Sequence, residues 1–588
     1  MKNLLKISLV LIFCLPNFAF AQTKQKISLL LFNGKIFTAD ENYSTAEAVA
    51  VDGEKIVAVG TSKDLRDKYQ AAREIDLQGK LVTPGFNDAH VHFLRGALSL
   101  LNVVLTDAKT LAEAQGKIAE KVKTAKAGEW IIGRGWDNTV WTKEGKFPTR
   151  NDLDKIAPNN PVYLVRVDGH VGWVNSAALR LTKIDKNTKN PEGGEIERDA
   201  SGEATGILKE TSQGLVAGLI AEPNQAQMQK GLELALDMAR RYGITSVSDN
   251  SGYETTKLYR DFLRADKLTV RVAEWQDFEN SIDEIKRERA EFDSFKDDKN
   301  RLKLTALKGY VDGTLGSRTA SLLAPYSDDV GNSGIPRHTP EELTRMIVER
   351  DAAGFQIALH AIGDRANRMA LDGFGQTTKM GRGNLSLLAN EQIRNESEIA
   401  KRENQFYDVG MIIREDRHRI EHAQVVNPND FKRFEELGII ASMQPTHAIS
   451  DKRWAESRLG EYRVLGAYAW HLMRSYKVHV PFGTDFPVES INPYQTLYAA
   501  VSRQDTEGLP VGGWQPQEKL TIAEAIRAHT FESAYAEFAE NIKGEIKAGM
   551  LADLVVQSKD LLTIEPKEIL TTEPIYTIFN GKVIYEKK

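Results

Sequence analysis

Thr83-Pro84-Gly85-Phe86-Asn87-Asp88-Ala89-His90-Val91-His92 is the segment on which the architecture turns. His90 and His92 stand two residues apart, and side chains alternate along a strand with period two, so both rings leave on the same side. Two neutral imidazoles so placed can share one metal ion, an arrangement that zinc and similar cations favour. A His-x-His pair also arises by chance on protein surfaces. It gains meaning only if later segments bring partners of the right type to the ends of apolar runs.

Such segments follow. Residues 244–248, 269–273, 302–311, 356–360, 419–423, 439–443 and 478–482 read as strands, with helical stretches between several of them. Thr339-Pro340-Glu341-Glu342 combines a capping box with proline at the first helical position, and Gly354 fits the stop. Thr521-Ile522-Ala523-Glu524 starts another helix. With the strand before His90 there are eight β-rich units in alternation, which predicts an α/β chain with a (β/α)₈ TIM-like barrel. A doubly wound open sheet is the alternative, and no glycine-rich phosphate loop supports it.

Both ends differ from the middle. Between residues 29 and 82, short apolar runs are punctuated by Asn33-Gly34 and Asp52-Gly53, and the far end repeats the style with Asn580-Gly581. Neither end has enough strands to cover its own apolar face, so the two are expected to pair into one small discontinuous β-sandwich. The expected organisation is a signal peptide over 1–21, sandwich parts over 22–82 and 541–588, and the barrel over 83–540. Insertions are expected near 103–221, over the barrel mouth, and near 380–416, a polar surface excursion.

Lys2 and Lys6 precede an apolar run, and Ala19-Phe20-Ala21 offers a small-x-small cleavage site, the pattern of an exported, periplasmic or secreted protein. The run is too short for a membrane anchor and Pro16 interrupts it. The only cysteine, Cys14, lies in this segment, after Leu11-Ile12-Phe13 rather than the small residues of a lipoprotein site. Without 1–21 the chain holds 75 basic and 82 acidic residues, a formal charge of −7. There is no basic stripe for nucleic acid, no disulfide, no thiolate ligand and no cysteine nucleophile. The expected partner is a small-molecule substrate, without nucleic acid or membrane; a homodimer is left open.

Catalytic groups of a barrel sit at the C-terminal ends of its strands. Polar residues there are His90 and His92 on the first, Lys308 on the fourth, His360 on the fifth, His422 on the sixth and Asp485 on the eighth. Four of eleven histidines thus fall at strand ends in order, followed by a carboxylate.

Further motifs are Pro84-Gly85-Phe86, Gly135-Trp136-Asp137, Asp168-Gly169-His170, the run from Asp312 to Arg318, His360-Ala361-Ile362-Gly363-Asp364, Ile420-Glu421-His422-Ala423-Gln424 and Gly549-Met550-Leu551-Ala552-Asp553-Leu554. Together they resemble the amidohydrolase superfamily of metal-dependent hydrolases. Within it they resemble the amidohydrolase-3 branch, the YtcJ-like proteins related to N-substituted formamide deformylase. The resemblance implies one or two divalent ions, zinc foremost, with His90, His92 and Asp485 on the more buried ion and His360 and His422 on a second. It implies a carboxylated Lys308 as bridge, against the plainer reading of a Lys308–Asp312 pair. Asp485 is then the catalytic residue: it holds the attacking water, takes its proton and returns it to the leaving nitrogen. The implied reaction is hydrolysis of an amide, formamide or cyclic amide. The rivals are a mononuclear deaminase using His90, His92, His360 and Asp485, and a non-catalytic binding protein on the same fold.

Trp136, Asp137, His170, Arg318 and His447 are candidate substrate contacts, His170 also a helper at the oxyanion. Each has a plainer reading: core for Trp136, an ion pair within its own loop for Arg318, packing or loop roles for the two histidines. Glu421 reads as structural, and Asp364 as orienting a ligand or capping a helix.

Overall fold

The computed structural model describes residues 23–141, 146–166, 169, 171–191, 194–377 and 416–588. The leader at 1–21, most of the excursion near 380–416, and His170 lie outside the described residues.

Seven strands form one parallel sheet in sequential order: β1 (Phe86–Val91), β2 (Ile244–Asp249), β3 (Arg271–Asp277), β4 (Leu302–Tyr310), β5 (Gln356–Ala361), β6 (Arg419–His422) and β7 (Ile440–Ser442). Residues 478–485 fill the eighth place. Met443 N donates to Pro481 O at 3.0 Å on one side, and on the other Ala89 N donates to Phe482 O at 3.0 Å and Asp485 N to His90 O at 2.8 Å. The result is a nearly closed TIM-like barrel. β1, β2 and β5 are buried along their whole length, as expected of strands covered on both faces.

Register then determines which side chains meet. Tyr310 of β4 lies opposite His360 of β5, and Ala361 of β5 lies opposite His422 of β6. Strand β3 runs past the expected 269–273, because Glu274 and Gln276 break the apolar run yet are buried and hydrogen-bonded. Gln276 Nε2, for example, donates to Ile285 O and Glu288. The two helix starts appear as read: Thr339 and Thr521 each close a reciprocal capping box, and Gly354 sits at φ 89° after Pro340–Ala352.

Between β1 and β2 a second six-stranded sheet is built from Val103–Val104, Ile131–Trp136, Val162–Arg166, Val171–Val174, Gly194–Arg198 and Ala204–Glu210. It has its own apolar core around Trp136 and Trp173. The chain ends share another sheet, in which Leu81–Pro84 pairs antiparallel with Leu554–Gln557. One apolar cluster joins that sheet to the four-stranded sheet containing Gln25–Phe32, through residues such as Leu31, Val49, Val82 and Val556. Arg271 at the start of β3 ties it to the barrel, donating to Asp553 at 2.6 and 3.0 Å and to Asn580 at 2.8 Å.

Candidate metal centre

At the C-terminal ends of the barrel strands lies a cavity of about 800 Å³. Its walls include His90, His92, Lys308, Tyr310, His360, His422, His447 and Asp485, while Val104, Thr106, Arg134 and Gly135 close one side from the 103–210 region. Asp485 is the hub. Its Oδ1 lies 3.4 Å from His90 Nε2 and 3.3 Å from His92 Nε2, and its Oδ2 lies 3.6 Å from His447 Nε2.

Two sets of ligand atoms therefore meet around one carboxylate: His90, His92 and Asp485, and His422, His447 and Asp485. The atoms of each set lie within 4.8 Å of one another. Asp485 and His422 hold backbones at φ 56° and 72°, uncommon for residues with a side chain and frequent where a site is over-determined by its surroundings.

The hydrogen bonds prepare these rings for a cation. His90 Nδ1–H donates to Glu421 Oε2 at 2.6 Å, His92 Nδ1–H to Asn250 O at 2.9 Å, and His422 Nδ1–H to Gln444 Oε1 at 2.7 Å. Each bond fixes the tautomer that leaves Nε2 with a lone pair, as a ligating imidazole requires. His360 is turned the other way: Nε2–H donates to Gly313 O at 3.1 Å, which leaves Nδ1. Inside the cavity, His90 Nε2, His447 Nε2 and Lys308 Nζ are buried without a hydrogen-bond partner among the described residues. Orphaned buried nitrogens are costly unless something takes them up, and a cation with its ligands does so.

Electrostatics agree. Burial, then the charge of Lys308, pushes His360 down to about 3, and burial above all holds His422 well below the ordinary imidazole value. Both are neutral and able to ligate. Burial opposes ionisation of Asp485, yet its contacts with His90 and His92 hold the carboxyl well below the usual range. Burial and Lys308 work against a proton on His90, but carboxylates at both of its nitrogens raise it above the ordinary value. A metal ion between His90 and Asp485 would occupy the place of that proton.

Lys308 is not paired with Asp312. The Asp312 carboxylate accepts instead from the backbone N–H groups of Ser321, Ile362 and Gly363 at 2.8, 3.0 and 2.8 Å. Lys308 Nζ lies 4.6 Å from the Tyr310 ring centroid.

The remaining candidates divide. His447 lines the cavity and joins the second ligand set, where His422 and His360 were expected; the His360 ring is nonetheless 4.5 Å from that of His422. Three expectations need correction. Trp136 is fully buried in the neighbouring sheet, its indole N–H bonded to Leu164 O, because the register shift at Gly135 (φ 92°) breaks the alternation that would put it on the face of exposed Arg134. Asp137 pairs with Arg166 at 2.9 Å outside the cavity. Arg318 is spent on Asp328 at 2.8 Å within its own loop. Asp364 accepts from Leu323 N, so it holds a loop rather than a ligand. Residues not anticipated are Asn250 and Gln444, which fix His92 and His422, and Tyr310 in the wall. Gln444 follows the apolar run 439–443, so inspecting its strand end would have found it; Asn250 acts through its carbonyl, which no side chain announces.

A family model described as the amidohydrolase family matches residues 73–585. Protein LONG AFTER FAR-RED 3 of Arabidopsis thaliana is 32% identical over 549 residues, 90% of this chain and 87% of its own length. N-substituted formamide deformylase of Arthrobacter pascens is 27% identical over 96% of this chain and 99% of its own. Among solved structures, an uncharacterized metal-dependent hydrolase from Pyrococcus horikoshii superposes with a TM-score of 0.72 at 27% identity. That alignment covers 92% of this chain and 99% of the other.

Proposed function

Because the chain belongs to the amidohydrolase family, we propose that it is a metal-dependent hydrolase cleaving a non-peptide C–N bond in an amide, formamide or cyclic amide. The observation that carries the proposal is Asp485, one carboxylate shared by two sets of imidazoles inside a substrate-sized cavity. The relative named as an N-substituted formamide deformylase supports the bond type.

In this reading His90, His92 and Asp485 hold one divalent ion, zinc foremost. His422 with His447 or His360 would hold a second, and Lys308, as a carbamate, would supply a further anionic ligand. A bound cation supplies acidified water near neutral pH. Asp485 accepts the proton of the attacking water and delivers it to the departing nitrogen. The neutral rings of His360 and His422 keep the cavity from carrying competing protons. The two terminal sheets are read as one β-sandwich. Export through 1–21 belongs to the same proposal, supported by the basic-then-apolar order of that segment and by its Ala19-Phe20-Ala21 cleavage pattern.

The test is a screen of N-formyl, N-acyl and cyclic amides against the zinc-loaded protein, with chelated protein as control. Turnover is expected only with metal, and Asp485→Asn should lower it about 10²–10⁴-fold, the worth of a general acid–base. Zinc-loaded protein that hydrolyses none of these compounds defeats the proposal.

A further inference from the structure

We propose that the Tyr310 hydroxyl donates a hydrogen bond to the substrate oxygen that becomes negative during attack, and that Asn250 is the residue positioning it. This rests on the hydrolytic reading above and adds a group to it. Lys308 and Tyr310 are two apart on β4, so both face the barrel interior, and Tyr310 at the strand end reaches the cavity shared with His90, His92, His360 and Asp485.

Its oxygen is held from one side. Asn250 Nδ2 donates to Tyr310 Oη at 3.2 Å. A phenol has one proton to give, and among the described residues no acceptor takes that of Tyr310. Asn250 is itself anchored twice to the metal-ligand segment: its N–H donates to Val91 O at 2.8 Å, and its carbonyl accepts from His92 Nδ1–H at 2.9 Å. One residue thus sets both a ligand ring and the phenol, so the donor is fixed relative to the attacking water.

The loop bearing Asn250 is braced in turn. Asp249 accepts from Phe93 N at 2.7 Å, and Glu274 accepts from Ser251 N at 3.2 Å and Gly252 N at 2.9 Å. The Arg337 guanidinium lies 5.1 Å from the Tyr310 ring centroid, adding positive potential beside the phenol. A donor that is prepositioned and needs no reorganisation favours the charged transition state over the neutral substrate. As water adds to the carbonyl carbon, the C=O π electrons move to oxygen. Tyr310 bonds that oxygen without surrendering its proton, and Asp485 carries the proton lost by water.

The experiment uses zinc-loaded protein and 4-nitroformanilide, which releases coloured 4-nitroaniline. Tyr310→Phe keeps the ring and should lower kcat about 10²–10³-fold, the usual worth of an oxyanion donor, with KM within about twofold and the zinc content unchanged. Asn250→Ala should lower kcat by about tenfold, since Tyr310 keeps its hydroxyl but loses its tether, and Asn250→Gln should recover part of the loss. An unchanged kcat in Tyr310→Phe overturns the proposal. Should the wild type not cleave this amide, inorganic phosphate serves as a tetrahedral anion: calorimetry should show at least about tenfold weaker binding in Tyr310→Phe. Equal phosphate affinity overturns the proposal, whereas an inactive wild type with this affinity difference faults only the choice of substrate bond.

Discussion

Replacing Glu421 by glutamine removes a carboxylate that does not line the cavity and yet holds the His90 ring in place. Glu421 is fully buried and accepts from His90 Nδ1–H at 2.6 Å and from Arg419 at 2.7 and 3.2 Å. Burial alone would raise its pKa; Arg419 and His90 hold it instead at about 2, against an ordinary 4.5. At about 1.4 kcal/mol per unit, the site favours the ionised form by roughly 3 kcal/mol. Glu421→Gln forfeits that preference and leaves one neutral amide oxygen where two charged oxygens served His90 and Arg419, whose other acceptors among the described residues are Ala89 O and Ser442 Oγ. The expected cost is about 3 kcal/mol of metal-free stability, in line with breaking a buried ion pair, and about 10–100-fold in zinc affinity through the freed His90 ring.

Urea unfolding and chelator competition read the two effects separately. The pH dependence gives a third reading. The folded value lies below the unfolded one, so the unfolded chain binds more protons between about pH 4.5 and 2. Stability present above that window is lost on acidification through it. Glu537, opposed by burial but held at about 2 by Lys303 and Lys543, shares the window. Glu421→Gln should therefore remove about half of the acid slope these two groups contribute. A variant that keeps wild-type zinc affinity, stability and acid slope refutes the reasoning that the buried carboxylate organises His90.

Two further outcomes follow from the geometry. If Lys308 bridges two ions as proposed, Lys308→Ala should lower bound zinc from two equivalents to one by elemental analysis; an unchanged count and unchanged turnover withdraw the carbamate in favour of the mononuclear rival. Gly483→Ala places a Cβ 2.5 Å from His90 N and 2.9 Å from His90 Cβ. It should cost about 1–3 kcal/mol as overpacking, with a matching loss of zinc affinity; a wild-type melting curve would show that the closing segment does not press on the ligand strand.

Much of this architecture was legible because barrels place chemistry at strand ends, and each strand end carries its own polar punctuation. His90, His92, His360, His422 and Asp485 could be picked in that way, and the structure gathers them about one cavity. The eighth unit was legible as an apolar run but not as a regular strand, because 478–485 joins its neighbours through only a few backbone bonds. Side-chain direction was less visible. Nothing local distinguishes Trp136 turned into a core from Trp136 turned to a cavity, and Arg318 found its carboxylate ten residues away in the same loop. His447 sits in the first turn of the helix Pro445–Arg463 rather than on a strand, so a rule about strand ends passes over its place beside Asp485 and His422.

X-ray absorption at the zinc K-edge of the loaded protein tests the central claim most directly. The account predicts a first shell of nitrogen and oxygen at about 2.0–2.1 Å, with scattering from at least two imidazoles per ion, lost on replacing Asp485 with alanine. Zinc surrounded by water oxygens alone, or a spectrum indifferent to Asp485→Ala, would contradict it.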